Sequence, residues 1–377
     1  MFTVALTVVM IVGAAVMALV LLASSAPGAL AIGVLLSVLP VGPVVAAFVW
    51  LDRYEPEPVR LLAAAFGWGA LVATAAALVL QTLDQFVLGT PATWSAAIVA
   101  PITEEAAKGF FILLLLWARR HEIDGVLDGI VYAGMVGVGF AFTENILYLG
   151  AAYMGGGDAG PGGLGSAIGV FVVRGIFSPF AHPLFTAFIG VGVGYAVARH
   201  GPARLLLPVL GYLLAVAAHA LWNGSAFFGG GRYFVLTYLF AMVPAFLLVV
   251  AFAVWARRRE ALMLTHALAD AASRGFLSIA EVPWLVRLRA RQVSRQHARQ
   301  VGGPVAEQVM REYQQQAIEL GFLHDRYLRG SAPPDFAERG TAMVQRMAAL
   351  RPSVLFPPMT GASPAYLGGN PRGEAPR

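Results

Sequence analysis

No cysteine occurs in the 377 residues, which excludes disulfides, thiolate metal sites and a cysteine nucleophile. Charge is scarce too: Asp, Glu, Lys and Arg make up 12% of the chain, against roughly 25% in an ordinary soluble domain. Lysine occurs once, as Lys108. No short apolar leader is followed by a cleavage site, so the first apolar run is expected to stay as a membrane span. What the chain has in quantity is apolar residue, 58% of the total, with a mean hydropathy of +0.71. Such proportions describe an integral membrane protein.

Runs of about twenty mainly apolar residues, the length that crosses hydrocarbon, fall at 2–23, 29–51, 60–82, 94–117, 126–151, 168–198, 204–227 and 233–256. The expected fold is all-α: a polytopic membrane helix bundle of about eight transmembrane helices with a cytoplasmic helical C-terminal tail. The bundle domain should cover 1–256, a cytoplasmic basic helical region 257–352, and a disordered tail rich in Pro and Gly 353–377. Alternate loops hold Arg53 and Arg60, then Arg119 and Arg120, then Arg199 and Arg204, then Arg257 to Arg259. Because basic loop residues stay on the cytoplasmic side, both termini are expected in the cytoplasm of a plasma-membrane protein. Residues 1–256 carry nine basic against eleven acidic side chains, whereas the remainder carries seventeen against ten. That basic excess suits an anionic membrane surface, and no nucleic-acid-binding motif accompanies it.

The anomaly in this apolar background is Pro101-Ile-Thr-Glu-Glu-Ala-Ala-Lys-Gly109, which sets Glu104, Glu105 and Lys108 inside the fourth span. A charge at the centre of a membrane helix costs roughly 2.5–3.5 kcal/mol, so an ionisable group there points to function. Either acid lies three or four residues from Lys108 and can pair with it along one helix face. An ion pair explains one glutamate and leaves the other for chemistry. Spacing alone does not choose between them.

The three spans that follow each add a polar group: Glu144 and Asn145, then Arg174 and His182, then His219 and Asn223. Taken singly, each has a structural reading as a snorkelling acid, a supporting cation or interhelical polar glue. At about 1.5 Å per residue, Glu104, Glu144, His182 and His219 reach similar depths in the outer half of the bilayer. One shared cavity lined by glutamates and imidazoles supplies a base, an acid and oxyanion donors for hydrolysis by water. His182, His219 and Glu144 are also a candidate three-ligand set for zinc. A proton- or ion-coupled transporter, or a non-catalytic scaffold, would place similar groups at this depth.

Glu104-Glu-Ala-Ala-Lys108 resembles the EExxK motif of the PrsW family of intramembrane proteases, within the wider superfamily of CAAX-prenyl and Abi proteases. Asp128 to Tyr132, Phe140 to Asn145, His182 to Phe185 and His219 to Asn223 continue the likeness, over about residues 50–225. The resemblance implies cleavage of a single-pass membrane protein in the bilayer, with an anti-sigma factor as the substrate type. It further implies that Glu104 activates water with help from Glu144 and that His219 and Asn223 stabilise the oxyanion, and it leaves open both a zinc-assisted and a metal-independent glutamate mechanism. The related prenyl proteases have histidine where this chain has Glu144, which leaves His182 as its substitute.

Overall fold

A computed structural model of the chain describes residues 2–119, 122–156, 160–197, 199, 201–228, 230–330 and 332–358. Among these residues it contains helices and no strand. Seven helices are long and apolar enough to cross a membrane. They are α1 (Thr3–Ser24), α2 (Pro27–Leu51), α3 (Val59–Leu88), α5 (Val126–Met154), α6 (Gly163–Val197), α7 (Ala203–Phe228) and α8 (Gly231–Ser273). The remaining expected span is α4 (Ala100–Ala118), preceded by helical turns over Ala92–Trp94 and Ser95–Val99. It is long enough, but Glu104, Glu105 and Lys108 lower its apolar character. The protein is therefore a polytopic membrane helix bundle.

Some helices outrun the expected spans, because a helix ends where its backbone is capped and not where the hydrocarbon ends. Helix α3 stops at Gly89, which takes a left-handed φ of 65° that closes the last turn. Helix α6 leaves regular geometry at Ser178–Phe180, next to Pro179, and resumes at Ala181 with His182 in its new first turn. The chain divides into two compact units, Met1–Asp52 with Pro56–Arg257, and Arg53–Glu55 with Arg258–Arg377.

In the first unit α5 is the buried axis, with Leu127 and the whole run Gly129 to Phe140 screened from solvent. Glycine makes this possible by letting backbones touch. A Cβ on Gly139 would lie 1.9 Å from the Phe66 carbonyl oxygen of α3, and one on Gly129 would lie 2.2 Å from that of Gly190 on α6. The core built on these contacts includes Trp68, Phe111, Ile112, Tyr132, Val136 and Phe140. Trp68 is further tied to α4 by an indole N–H donated to the Ala107 carbonyl at 3.0 Å.

The second unit contains α9 (Val282–Val286), α10 (Leu288–Leu328) and α11 (Phe336–Leu350). Helix α10 breaks at Gly303, φ 74°, ahead of Pro304. Leu264, Leu268, Leu285, Met310, Tyr313 and Met347 form its core. The described residues end at 358, so 359–377 of the stretch expected to be disordered lie outside them, while Ser353 closes a short helical turn and Val354 is buried.

Gly139→Val is expected to destabilise the bundle by at least about 1–3 kcal/mol, as overpacking does, because the atom it meets is backbone. A lowered thermal midpoint in detergent checks this. A second expectation concerns Asp52, just past α2. Burial pushes its carboxyl up to about 7, opposed by the Glu57 N–H donated to Oδ2 at 2.7 Å. A raised folded pKa favours the protonated form in the fold, so its stabilising effect is complete below about pH 4 and is lost as pH rises through about 7. Asp52→Asn should therefore melt above the parent at pH 8, with the gap narrowing toward pH 5.

Candidate active site

Helix α4 presents Glu104, Glu105 and Lys108 inward, and two of the three are wholly buried. Glu105 and Lys108 are 0% exposed and Glu104 5%. Lys108 Nζ donates to Glu105 Oε1 at 2.7 Å and to His182 Nδ1 at 3.1 Å, and it lies 3.9 Å from the centroid of the Phe140 ring. An ammonium has no lone pair to offer, so His182 Nδ1 must accept and its proton sits on Nε2. Nε2 then donates to Glu144 Oε2 at 2.7 Å. One histidine thus links the lysine of α4 to the glutamate of α5.

The two adjacent acids have different surroundings. Both oxygens of Glu105 are engaged: Oε1 accepts from Lys108 and from His219 Nδ1 at 2.9 Å, and Oε2 lies 3.2 Å from the Thr186 hydroxyl, whose one hydrogen is shared with the His182 carbonyl at 3.0 Å. Glu104 accepts one hydrogen bond, from Gln81 Nε2 to Oε1 at 3.2 Å. Its Oε2 is buried without a hydrogen-bond partner, 3.6 Å from Lys108 Nζ and 3.8 Å from His219 Nε2. Adjacent positions on a helix diverge by about 100°, and here that angle sends one carboxylate into the packed core and the other to a cavity wall.

That cavity has a volume of about 290 Å³ and is lined by Gln81, Glu104, Phe140, Glu144, Tyr148 and Asn223 among others. Glu144 is held by Arg174, whose Nε donates to Asn145 Oδ1 at 2.7 Å and whose guanidinium lies over the Tyr148 ring. Arg174 reaches inward from a wide helical turn, Val172–Phe177, just before the break in α6. Wide turns of this kind are common beside functional groups. On α7, His219 stacks on Phe185 with ring centroids 4.7 Å apart. Asn223 lines the cavity and donates through Nδ2 to the Ala96 carbonyl at 2.9 Å.

All nine residues singled out from the sequence lie in or beside this network. Three of its members were not among them. Gln81 comes from α3, a span expected to contribute almost nothing polar; an isolated amide in an apolar run was the available signal. Thr186 sits one turn after His182, and Tyr148 one turn after Glu144, where each reads as an ordinary membrane-helix residue until the contacts are known.

The donor atoms that lie within 4.8 Å of one another come from Glu104, His182 and His219. The expected trio named Glu144 in place of Glu104, but the Glu144 carboxylate is engaged by Arg174 and His182. One carboxylate and two imidazoles suit zinc in kind: Glu104 Oε2 has no hydrogen-bond partner and His219 Nε2 lies 3.8 Å from it, whereas His182 would have to give up its bond with Lys108 or with Glu144 to offer a lone pair. The Glu105 carboxylate behind His219 Nδ1 is the usual support for a metal-bound histidine. Lys108 already supplies a positive charge beside the same three groups.

A family model described as PrsW family intramembrane metalloprotease matches residues 57–254. Protease PrsW of Bacillus subtilis is 24% identical over 210 residues, 56% of this chain and 85% of that protein. Protease PrsW of Shouchella clausii is 28% identical over 218 residues, 55% and 88% of the two chains. That of Geobacillus kaustophilus is 29% identical over 146 residues, 38% and 58%. No solved structure matches the chain. With more than half its length matched, and every residue of the buried network inside that stretch, the chain belongs to the PrsW family of intramembrane proteases, which act on membrane proteins within the bilayer.

Proposed function

We propose that the protein hydrolyses a peptide bond in a single-pass, membrane-anchored protein, of anti-sigma-factor type by its family likeness, using water activated by Glu104. The observation that carries this reading is the state of one side chain: Glu104 lines the cavity, and its buried Oε2 has no hydrogen-bond partner. A carboxylate so placed can accept a proton from a water that substrate entry admits to the cavity. Gln81 holds the other oxygen and so sets the direction in which Oε2 points.

The remaining groups take supporting roles. Glu105 orients His219 and Lys108, because it accepts from both. Lys108 offsets the charge of the paired acids. His182 and Glu144 form the hydrogen-bonded pair suited to returning a proton to the leaving amine, with Arg174 and Asn145 fixing Glu144. Asn223 lines the cavity where an oxyanion would form, spending one amide hydrogen on Ala96 and keeping the second; His219, whose Nδ1 proton goes to Glu105, adds a donor there through Nε2 only when its ring carries both protons. The arginine pattern of the loops supports a plasma-membrane bundle with both termini in the cytoplasm and residues 257–352 as a cytoplasmic basic region.

The grouping of Glu104, His182 and His219 favours a second reading, in which these three hold zinc. A bound zinc would polarise the carbonyl and lower the pKa of its water. Glu104 would then be a ligand, and Glu144 the carboxylate left to handle protons.

After reconstitution with a single-pass substrate, Glu104→Gln and Glu144→Gln are expected to lower kcat by about 10²–10⁴-fold, the range for loss of a general acid or base. Glu105→Gln should also lose activity, through disorder of His219 and Lys108. Gln81→Leu should lower kcat by about tenfold with KM little changed, the loss of one orienting hydrogen bond. Unchanged cleavage in all of the glutamate variants would overturn the site. Elemental analysis with chelation separates the two readings. Cleavage that persists without metal supports Glu104 as the base; loss restored by zinc, with zinc absent from His219→Ala, supports the metal.

A further inference from the structure

The second unit contains a buried cation that the protease reading does not use. Arg291 lies in the first turn of α10 and is 4% exposed, yet its Nε has no hydrogen-bond partner. Its Nη1 makes only a long approach, 3.5 Å, to the Tyr54 carbonyl. Among the described residues neither Arg291, Arg295 nor Arg53 forms an ion pair. A buried guanidinium without a counter-charge is strongly unfavourable, since desolvation is not repaid.

The surroundings add positive charge. Arg295 follows one turn later, and Arg53 immediately precedes Tyr54. Helix α10 starts without a side-chain cap and with no acid in its first turn, so its positive end faces the same neighbourhood. Burial, then Arg295 and Arg53, push the Arg291 guanidinium down to about 10.

The group is also held in place. Past the break at Gly303, the second half of α10 carries Gln314, which is wholly buried. Gln314 Nε2 donates to the Arg291 carbonyl at 3.3 Å and to Ser294 Oγ at 2.8 Å, while its Oε1 accepts from Arg295 Nε at 2.6 Å. One amide thus fixes the helix turn from Arg291 to Arg295 before any ligand arrives.

We propose that Arg291, Arg295 and Arg53 form a binding site for a phosphate group. A guanidinium meets phosphate through paired N–H donors, and a helix N-terminus favours the same anion. The phosphate could come from an anionic lipid headgroup or from free phosphate. Chain connectivity supports the lipid, because Arg53 follows the end of α2, Leu51, by two residues. The site does not depend on the catalytic reading.

The test uses the full-length protein in neutral detergent, with thermal melting and native mass spectrometry as readouts. Short-chain phosphatidylglycerol is compared with phosphatidylcholine, and sodium phosphate with sodium chloride at equal ionic strength. The parent should gain thermal stability with phosphatidylglycerol, with phosphate, or with both, and which one acts identifies the source. Arg291→Gln should weaken that binding by about tenfold, the loss of a charge-assisted hydrogen-bonded pair. In anion-free buffer it should melt no lower than the parent, since a buried charge has been removed. Arg53→Gln, an exposed change, should weaken binding by a smaller factor and serves if Arg291→Gln does not fold. Arg299→Gln, one turn past Arg295 but exposed and paired with Glu307, should leave it nearly unchanged. Absence of any stabilisation of the parent, or equal binding by the parent, Arg291→Gln and Arg53→Gln, would overturn the proposal.

Discussion

The contact between Lys108 and Glu105 holds the membrane site together. Both side chains are wholly buried at membrane depth, where neither charge would be tolerated alone. Their pairing makes burial feasible, and each partner then recruits a histidine: Lys108 takes His182 of α6 and Glu105 takes His219 of α7. Three helices are thereby cross-linked through one ion pair. Removing either member strands the other in low dielectric, which is why the lysine that occurs only once in the chain lies here.

Glu105 is engaged more fully than its neighbour. Glu104 reaches Lys108 only at 3.6 Å, through Oε2, and that oxygen has no hydrogen-bond partner. Under the proposed function one acid supports and the other reacts, the general logic of paired carboxylates in different surroundings. The glycine contacts of α5 serve the same end. Gly137 packs where a Cβ would come within 2.8 Å of the His182 carbonyl, so the backbone of α6 can approach closely enough for His182 to reach Glu144.

Much of this was legible in the sequence, for a physical reason. In an apolar medium an ionisable residue is conspicuous, so Glu104, Glu105, Lys108, Glu144, Arg174, His182 and His219 stood out without a structure. Seven of the eight expected spans followed from the length needed to cross hydrocarbon, the fourth being made less apolar by Glu104, Glu105 and Lys108. Gln81, Thr186 and Tyr148 did not stand out, because uncharged polar residues are common in membrane helices as packing and hydrogen-bonding groups. Arg291 was equally inconspicuous, one arginine among many in a basic tail, until its burial without a counter-charge set it apart.

By itself, then, the amino-acid sequence determined that this is a multi-pass membrane protein with ionisable groups on four successive spans, since hydropathy and motif spacing are local properties. Only the tertiary structure decided which glutamate of the adjacent pair is the more fully hydrogen-bonded. That choice depends on what arrives from other helices: Thr186 and His219 close around Glu105, while Gln81 takes a single oxygen of Glu104. Two neighbouring residues of one type share every local property and differ only in the partners that the fold brings to them.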